Sequence, residues 1–223
     1  MIKRFLLEGF DGFAEHEILE VILYYAIPRA DTNLVAHRLI EKYGSLAAVC
    51  EAPMASLMET EGIGERAAAC LKMIPALSRS YNVSKMKNIR VIGSSEDAGN
   101  FIRPYFIGCD VERFYLLSLD SAGKILGMTL ICEGDIDRAI VNLRRIMETV
   151  IMYNATRVIV AHNHPRSIAL PSEEDIACTK KIKDALATIN VKLLDHMIFS
   201  YGLDENYPEG EYVSLAEDCL LNG

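Results

Sequence analysis

The chain has 223 residues, 51% of them hydrophobic and 24% charged, with a formal net charge of −8, a composition suited to a globular protein that buries one large or two small cores. No apolar run approaches the roughly 20 residues needed to cross a bilayer, and the opening MIKRFLLEGFDGF is broken by Glu8 and Asp11, too short and too acidic for a signal peptide, so a cytoplasmic protein without membrane contact is expected. The charge is uneven: residues 1–90 carry 11 Lys/Arg against 11 Asp/Glu, and residues 91–223 carry 12 against 20, which makes the C-terminal part a poor candidate for binding nucleic acid through a basic patch.

From residue 14 to about 80 the periodicity is helical. Ile18, Leu19, Ile22 and Leu23 recur at 3.6-like spacing in AEHEILEVILYYAI, and Pro28 ends that helix. Asp31 or Thr32 can cap the next, NLVAHRLIEKY, which Gly44 stops. Two short helices are expected at 46–51 and 54–59. ETEGIGERAAACLKMI then reads as a tight turn into a longer helix, which Pro75 kinks or ends. His16 and His37 fall on these helices and are expected to be structural or surface residues. The polar, aperiodic stretch SRSYNVSKMKNIR, residues 78–90, reads as a linker. The expected organisation is a helical domain at 1–82, a linker at 83–90 and a second domain at 91–223.

Past the linker the pattern changes. ERFYLLSLD (112–120) and KILGMTLICEG (124–134) read as strands joined at SAG, and residues 138–155 as a helix. TRVIVAH (156–162) is a β-branched run, hence a buried strand; 172–189 is a helix and 192–202 another strand. This is an α/β domain of mixed order. An edge strand such as 112–120 or 192–200 could pair between subunits, although nothing in the sequence requires an oligomer. The cysteines, at 50, 70, 109, 132, 178 and 219, form no C-x-x-C pair, which argues against a thiolate zinc site and a disulfide framework alike.

The stretch AHNHPRSIALPSEEDIACT (161–179) holds the chemistry. His162 closes the buried strand and His164 follows two residues on; in extended backbone, side chains at i and i+2 point to one side. Pro165 and Pro171 stiffen the loop to the next helix, which starts at Ser172 and carries Asp175 in its first turn. If that loop folds back, His162, His164 and Asp175 surround one metal with a fourth position left for water. Three protein ligands and an open site are the arrangement of catalytic zinc, which lowers the pKa of bound water to roughly 7. Ser172-x-x-Asp175 also reads as a capping box with a shortened acid, and the two readings are compatible.

His162-x-His164-Pro165-x6-Ser172-x2-Asp175 resembles the JAMM (JAB/MPN) metalloprotease signature. The form HNHP followed by PSxxD and later by DH resembles the RadC family in particular, over nearly the whole chain, including a helix-hairpin-helix at EGIGERAAACL, the strand ERFYLLSLD and LDHMIFS near the end. The resemblance implies a JAMM or cytidine-deaminase-like mixed-sheet α/β domain preceded by a small all-α domain. It implies a Zn2+ ion held by His162, His164 and Asp175, and hydrolysis of a peptide or isopeptide bond in a protein or peptide substrate. Glu112 would be the general acid/base, moving a proton from water to the leaving amine, with Glu133 as the second choice; Ser172 would steady the oxyanion. The chain departs from the family at HNHPRS, where HNHPSG is usual. Arg166 there brings a cation near the metal, which bears on loop geometry and substrate fit.

The letters HNH also name a nuclease class, but that class spreads its three residues over a strand-loop-helix unit. Asp195-His196 reads either as support for a metal ligand or as a packed core pair. A different functional class remains as the alternative: a DNA-associated repair or accessory protein with a structural metal site. Gly62-Ile63-Gly64 would then offer backbone N–H groups to a DNA phosphate without reading sequence, with Ile63 tucked into the hairpin core. Glu59, Glu61 and Glu65 surround that turn and disfavour a phosphate.

Overall fold

A computed structural model of the chain describes residues 1–28, 31–86, 89–134, 142–165, 167–200 and 211–218. Its contacts fall into two compact units, Met1–Ser80 and Tyr81–Gly223. No helix among the described residues is long and apolar enough to cross a membrane.

The first unit is helical: α1 (Ile2–Glu8), α2 (Glu15–Ala26), α3 (Thr32–Tyr43), α4 (Leu46–Glu51), α5 (Met54–Met58) and the start of α6 (Glu65–Met86). Its apolar stripes meet in one core, with Leu19 and Leu23 of α2, Val35 and Leu39 of α3, Val49 of α4, Leu57 of α5 and Leu71 of α6. The caps follow the sequence. Asp31 accepts hydrogen bonds from the Asn33 and Leu34 amides to start α3, and Gly44, at φ 89°, ends it. Ile63 is buried in the same core, as the hairpin reading required. His16 and His37 stack on each other at 4.1 Å between ring centroids.

Of the two outcomes expected at Pro75 of α6, a kink or an end, the second does not occur: the helix runs through the proline, because the ring removes one backbone donor and the other bonds of a long helix persist. It also continues to Met86, so most of the stretch read as an aperiodic linker is helix; polarity on all faces marks exposure, not irregularity.

The second unit is a five-stranded mixed sheet in the order β2-β1-β3-β4-β5, made of β1 (Arg113–Leu119), β2 (Ile125–Glu133), β3 (Arg157–His164), β4 (Lys192–Ser200) and β5 (Glu211–Ser214). β3 and β4 are parallel, joined by α9 (Glu173–Ala187) as crossover, and the other neighbours are antiparallel. The sheet is covered on both faces. On one, α8 (Leu143–Met152) and α9 bring Ile146, Val150, Cys178 and Ile182 onto Phe114, Leu116, Val158 and Val160. On the other, α7 (Ser95–Ile102) and a 3-10 turn (Arg103–Phe106) bring Phe101, Ile102 and Phe106 onto Tyr115, Leu117, Ile159 and Phe199.

Three differences from the sequence reading concern this unit. β3 extends to His164, two residues past the predicted end, so both histidines lie in the strand itself. The predicted helix 138–155 is α8, with its N-terminal part outside the described residues. Strands 112–120 and 192–200 are interior, flanked on both sides; the sheet's edges are β2 and β5, the latter unseen in the sequence. The described cysteines form no disulfide with one another, and Cys219 lies outside the described residues.

Candidate metal centre

The site sits at the C-terminal end of β3, against the first turn of α9. Strand alternation puts His162 and His164 on the face that α9 covers, and their Nε2 atoms lie 3.0 Å apart. Asp175 completes the group: its Oδ1 is 3.2 Å from His162 Nε2 and its Oδ2 is 3.7 Å from His164 Nε2. The three side chains are 2%, 8% and 1% exposed, and their ligand atoms lie within 4.8 Å of one another.

The candidate ligand Asp175 is also the N3 partner in the capping box of α9. Ser172 starts α9 and accepts from the Asp175 amide at 3.2 Å, while its own N–H and Oγ–H donate to Asp175 Oδ2 at 2.8 and 2.7 Å. Those bonds turn the carboxylate so that Oδ1 faces the histidines. Burial alone would raise the Asp175 pKa. The hydrogen bond and charge of His162, helped by the Ser172 hydroxyl and amide, outweigh that and hold the carboxyl well below the usual carboxylate range.

These residues fit a divalent cation. Two imidazole nitrogens and a buried carboxylate oxygen face a common point. Four-coordinate zinc with donors at about 2.0–2.1 Å sets neighbouring donors roughly 3.3 Å apart. The imidazole nitrogens are 3.0 Å apart and reach the two different carboxylate oxygens at 3.2 and 3.7 Å, and one donor atom from each residue falls within 4.8 Å of the others. His164 directs Nδ1 at the Ile168 carbonyl, 3.2 Å away, and a carbonyl only accepts, so Nδ1 carries the proton and Nε2 presents its lone pair. Phe114 lies parallel to the His162 ring at 6.0 Å and walls the site on the β1 side.

Glu112 immediately precedes β1. β1 pairs with β3 so that Phe114 lies opposite His162, and carrying that alternation two residues back sets Glu112 level with His164 on the same face. Its charge reaches Cys132 on β2, where it adds to the effect of burial in raising the thiol pKa, against the pull of Arg145. Glu133, the second choice, lies opposite Arg113 and pairs with its guanidinium at 2.8 Å; that register puts it on the far face of the sheet. Arg166 lies outside the described residues.

Three residues of the site were not singled out as functional in the sequence. Asn163, between the histidines, accepts from the Arg113 amide at 2.7 Å and donates to the Val111 carbonyl at 3.1 Å, gripping the backbone on both sides of Glu112. His196, weighed above only as a core or supporting residue, meets His162 Nδ1 through its Nε2 at 2.8 Å, and its Nδ1 touches Thr179 Oγ1. Thr179 lies one helical turn after Asp175, a spacing that was visible in the sequence.

In the first unit, Gly62 takes a positive φ of 96° in the hairpin turn. Beside it, Glu61 pairs with Arg38 at 2.9 Å and Glu59 with Lys42 at 3.3 Å, so these two cations near the turn are held by carboxylates.

Residues 92–220 match the family model described as RadC-like JAB domain. Over 226 aligned residues the chain is 32% identical to UPF0758 protein FN0909 of Fusobacterium nucleatum, covering 98% of this chain and 94% of that protein. It is 29% identical over 205 residues to a UPF0758 protein of Rhodobacter capsulatus, covering 92% and 96%. A family model over more than half the chain, around a strand-helix site built from HNHP and PSxxD, shows that this chain belongs to the RadC family, whose JAB domain is related to the JAMM metalloprotease-type domains.

Proposed function

We propose that this chain is a zinc-dependent hydrolase that cleaves a peptide or isopeptide bond. The observation that carries the reading is the convergence of His162, His164 and Asp175, nearly excluded from solvent; the alternation of β1 carried back to Glu112 supports a carboxylate on that face. Bound there, zinc supplies Lewis acidity and makes water a nucleophile near neutral pH.

The protein's own residues have separate tasks. Glu112 accepts a proton from the attacking water and returns it to the leaving nitrogen. Ser172 is one turn before Asp175, and its hydroxyl donates to Asp175 Oδ2; to steady an oxyanion it would exchange that acceptor for the substrate oxygen. Phe114 and the core beneath it keep water from the buried side. In the N-terminal unit, Glu59 and Glu61 pair with Lys42 and Arg38 beside Gly62-Gly64, and these carboxylates weigh against DNA contact as the primary role.

The test is zinc per chain by elemental mass spectrometry on tag-free protein, with His164→Ala and Asp175→Ala alongside. About one zinc per wild-type chain, lost in both variants, is the expected result; no zinc in the wild type refutes the proposal. Among amide and isopeptide substrates that the wild type cleaves, Glu112→Gln should keep its zinc and lose turnover by at least about 100-fold. A Gln variant that retained full activity would remove Glu112 from the mechanism.

A further inference from the structure

We propose that His196 and Thr179 are positioning residues that fix a proton on Nδ1 of His162 and thereby present Nε2 of His162 to the metal; the inference rests on the metal-site reading above. Thr179 Oγ1 lies 2.6 Å from the carbonyl of Asp175, one turn back along α9. A carbonyl only accepts, so the hydroxyl donates there and commits its single proton. The same oxygen touches His196 Nδ1, so that nitrogen is the donor of the pair. A neutral imidazole with its proton on Nδ1 has an acceptor at Nε2. That acceptor is 2.8 Å from His162 Nδ1, which therefore donates. The remaining nitrogen of His162, Nε2, is the one directed at His164 and Asp175.

The reverse assignment breaks the chain. If His162 Nδ1 accepted, His196 Nε2 would donate and His196 Nδ1 would need the Thr179 proton, taking it from the Asp175 carbonyl. His162 would then carry its proton on Nε2, where the ion belongs. A doubly protonated His196 gives the same misplacement. His196 is completely buried and Thr179 is 3% exposed.

The two ligand histidines are thus oriented differently. His164 uses a backbone carbonyl, the usual partner of a metal-binding imidazole. His162 uses a second histidine whose proton position is dictated by a threonine, and that threonine is anchored on the backbone of Asp175, itself a candidate ligand. The hydrogen bonds link both sides of the site.

The test uses Thr179→Val, which removes the hydroxyl at constant shape, and Thr179→Ser, which keeps it. Zinc affinity is read by competition with a chromophoric chelator. The protonation of each imidazole nitrogen is read from 15N shifts and long-range 1H–15N correlations in histidine-labelled protein, with and without zinc. Wild-type His196 should show a protonated Nδ1 and a bare Nε2 in both states. Thr179→Val should weaken zinc binding by about 10–100-fold and shift His196 toward the Nε2–H form, and Thr179→Ser should restore both. A wild-type His196 protonated on Nε2 overturns the proposal, as does a folded Thr179→Val protein with unchanged affinity. If the wild type binds no zinc, the metal reading fails separately, while the His196 spectrum still decides whether the relay exists.

Discussion

Replacing Asn163 by alanine isolates what holds Glu112 in place. Asn163 is 2% exposed, and its amide makes two bonds, from the Arg113 N–H and to the Val111 carbonyl. Truncation leaves both backbone groups without those partners, at about 1–3 kcal/mol each when buried. Val111 is 36% exposed, so water recovers part of the loss on its side. The expected destabilisation is about 2–4 kcal/mol. Asn163→Asp keeps the acceptor for Arg113 but turns an oxygen toward the Val111 carbonyl, so it should be no less damaging. The assay is urea unfolding followed by circular dichroism, with zinc content measured on the same samples. Both variants should lose stability while zinc content stays at the wild-type value, because the proposed ligands are His162 and His164 on either side, not Asn163 itself. A change below roughly 0.5 kcal/mol in Asn163→Ala, where surface substitutions fall, would refute the clamp.

Two further outcomes follow from the geometry. Gly62→Ala should destabilise the N-terminal unit by about 1–3 kcal/mol, because its φ is 96° and an added Cβ would lie 2.7 Å from a Val35 methyl; hydrogen exchange across α3 and α6 that matches the wild type would count against it. Burial pushes the Cys50 thiol up to about 11, so native protein at pH 8 should resist alkylation at Cys50 and react there only after unfolding. Labelling of Cys50 at the rate of a free thiol in native protein would contradict that.

The parts of the fold that could be read in advance are those governed by local rules. α2 to α5 announce themselves through 3.6-residue spacing and through residues such as Asp31 and Gly44 whose capping chemistry is local. α7 is short and has Gly99 inside it, where Tyr212 packs against the missing side chain; only the arrival of β5 explains that glycine. The site divides the same way. His162 and His164 share a face because strands alternate, and Asp175 lies three residues after a cap, so both were legible. Asn163 looked like a spacer, since its partners lie 50 and 52 residues earlier. His196 meets His162 only because β4 pairs in parallel with β3, setting Val160 level with His196. Which strands form the edges was likewise hidden, because order within a sheet is decided by long-range pairing.

The hydrogen-bonded path from His162 through His196 and Thr179 to the Asp175 carbonyl has a mechanical consequence. It spans β3, β4 and α9 and ties the helix to the sheet at one rotational setting. Sliding α9 by a single turn, about 5.4 Å, would break the path at Thr179 and withdraw Asp175 from the histidines together. That path holds the proposed centre at one setting of helix against sheet, and in the proposed hydrolase any movement that admits a substrate or releases a product would fall to segments outside it.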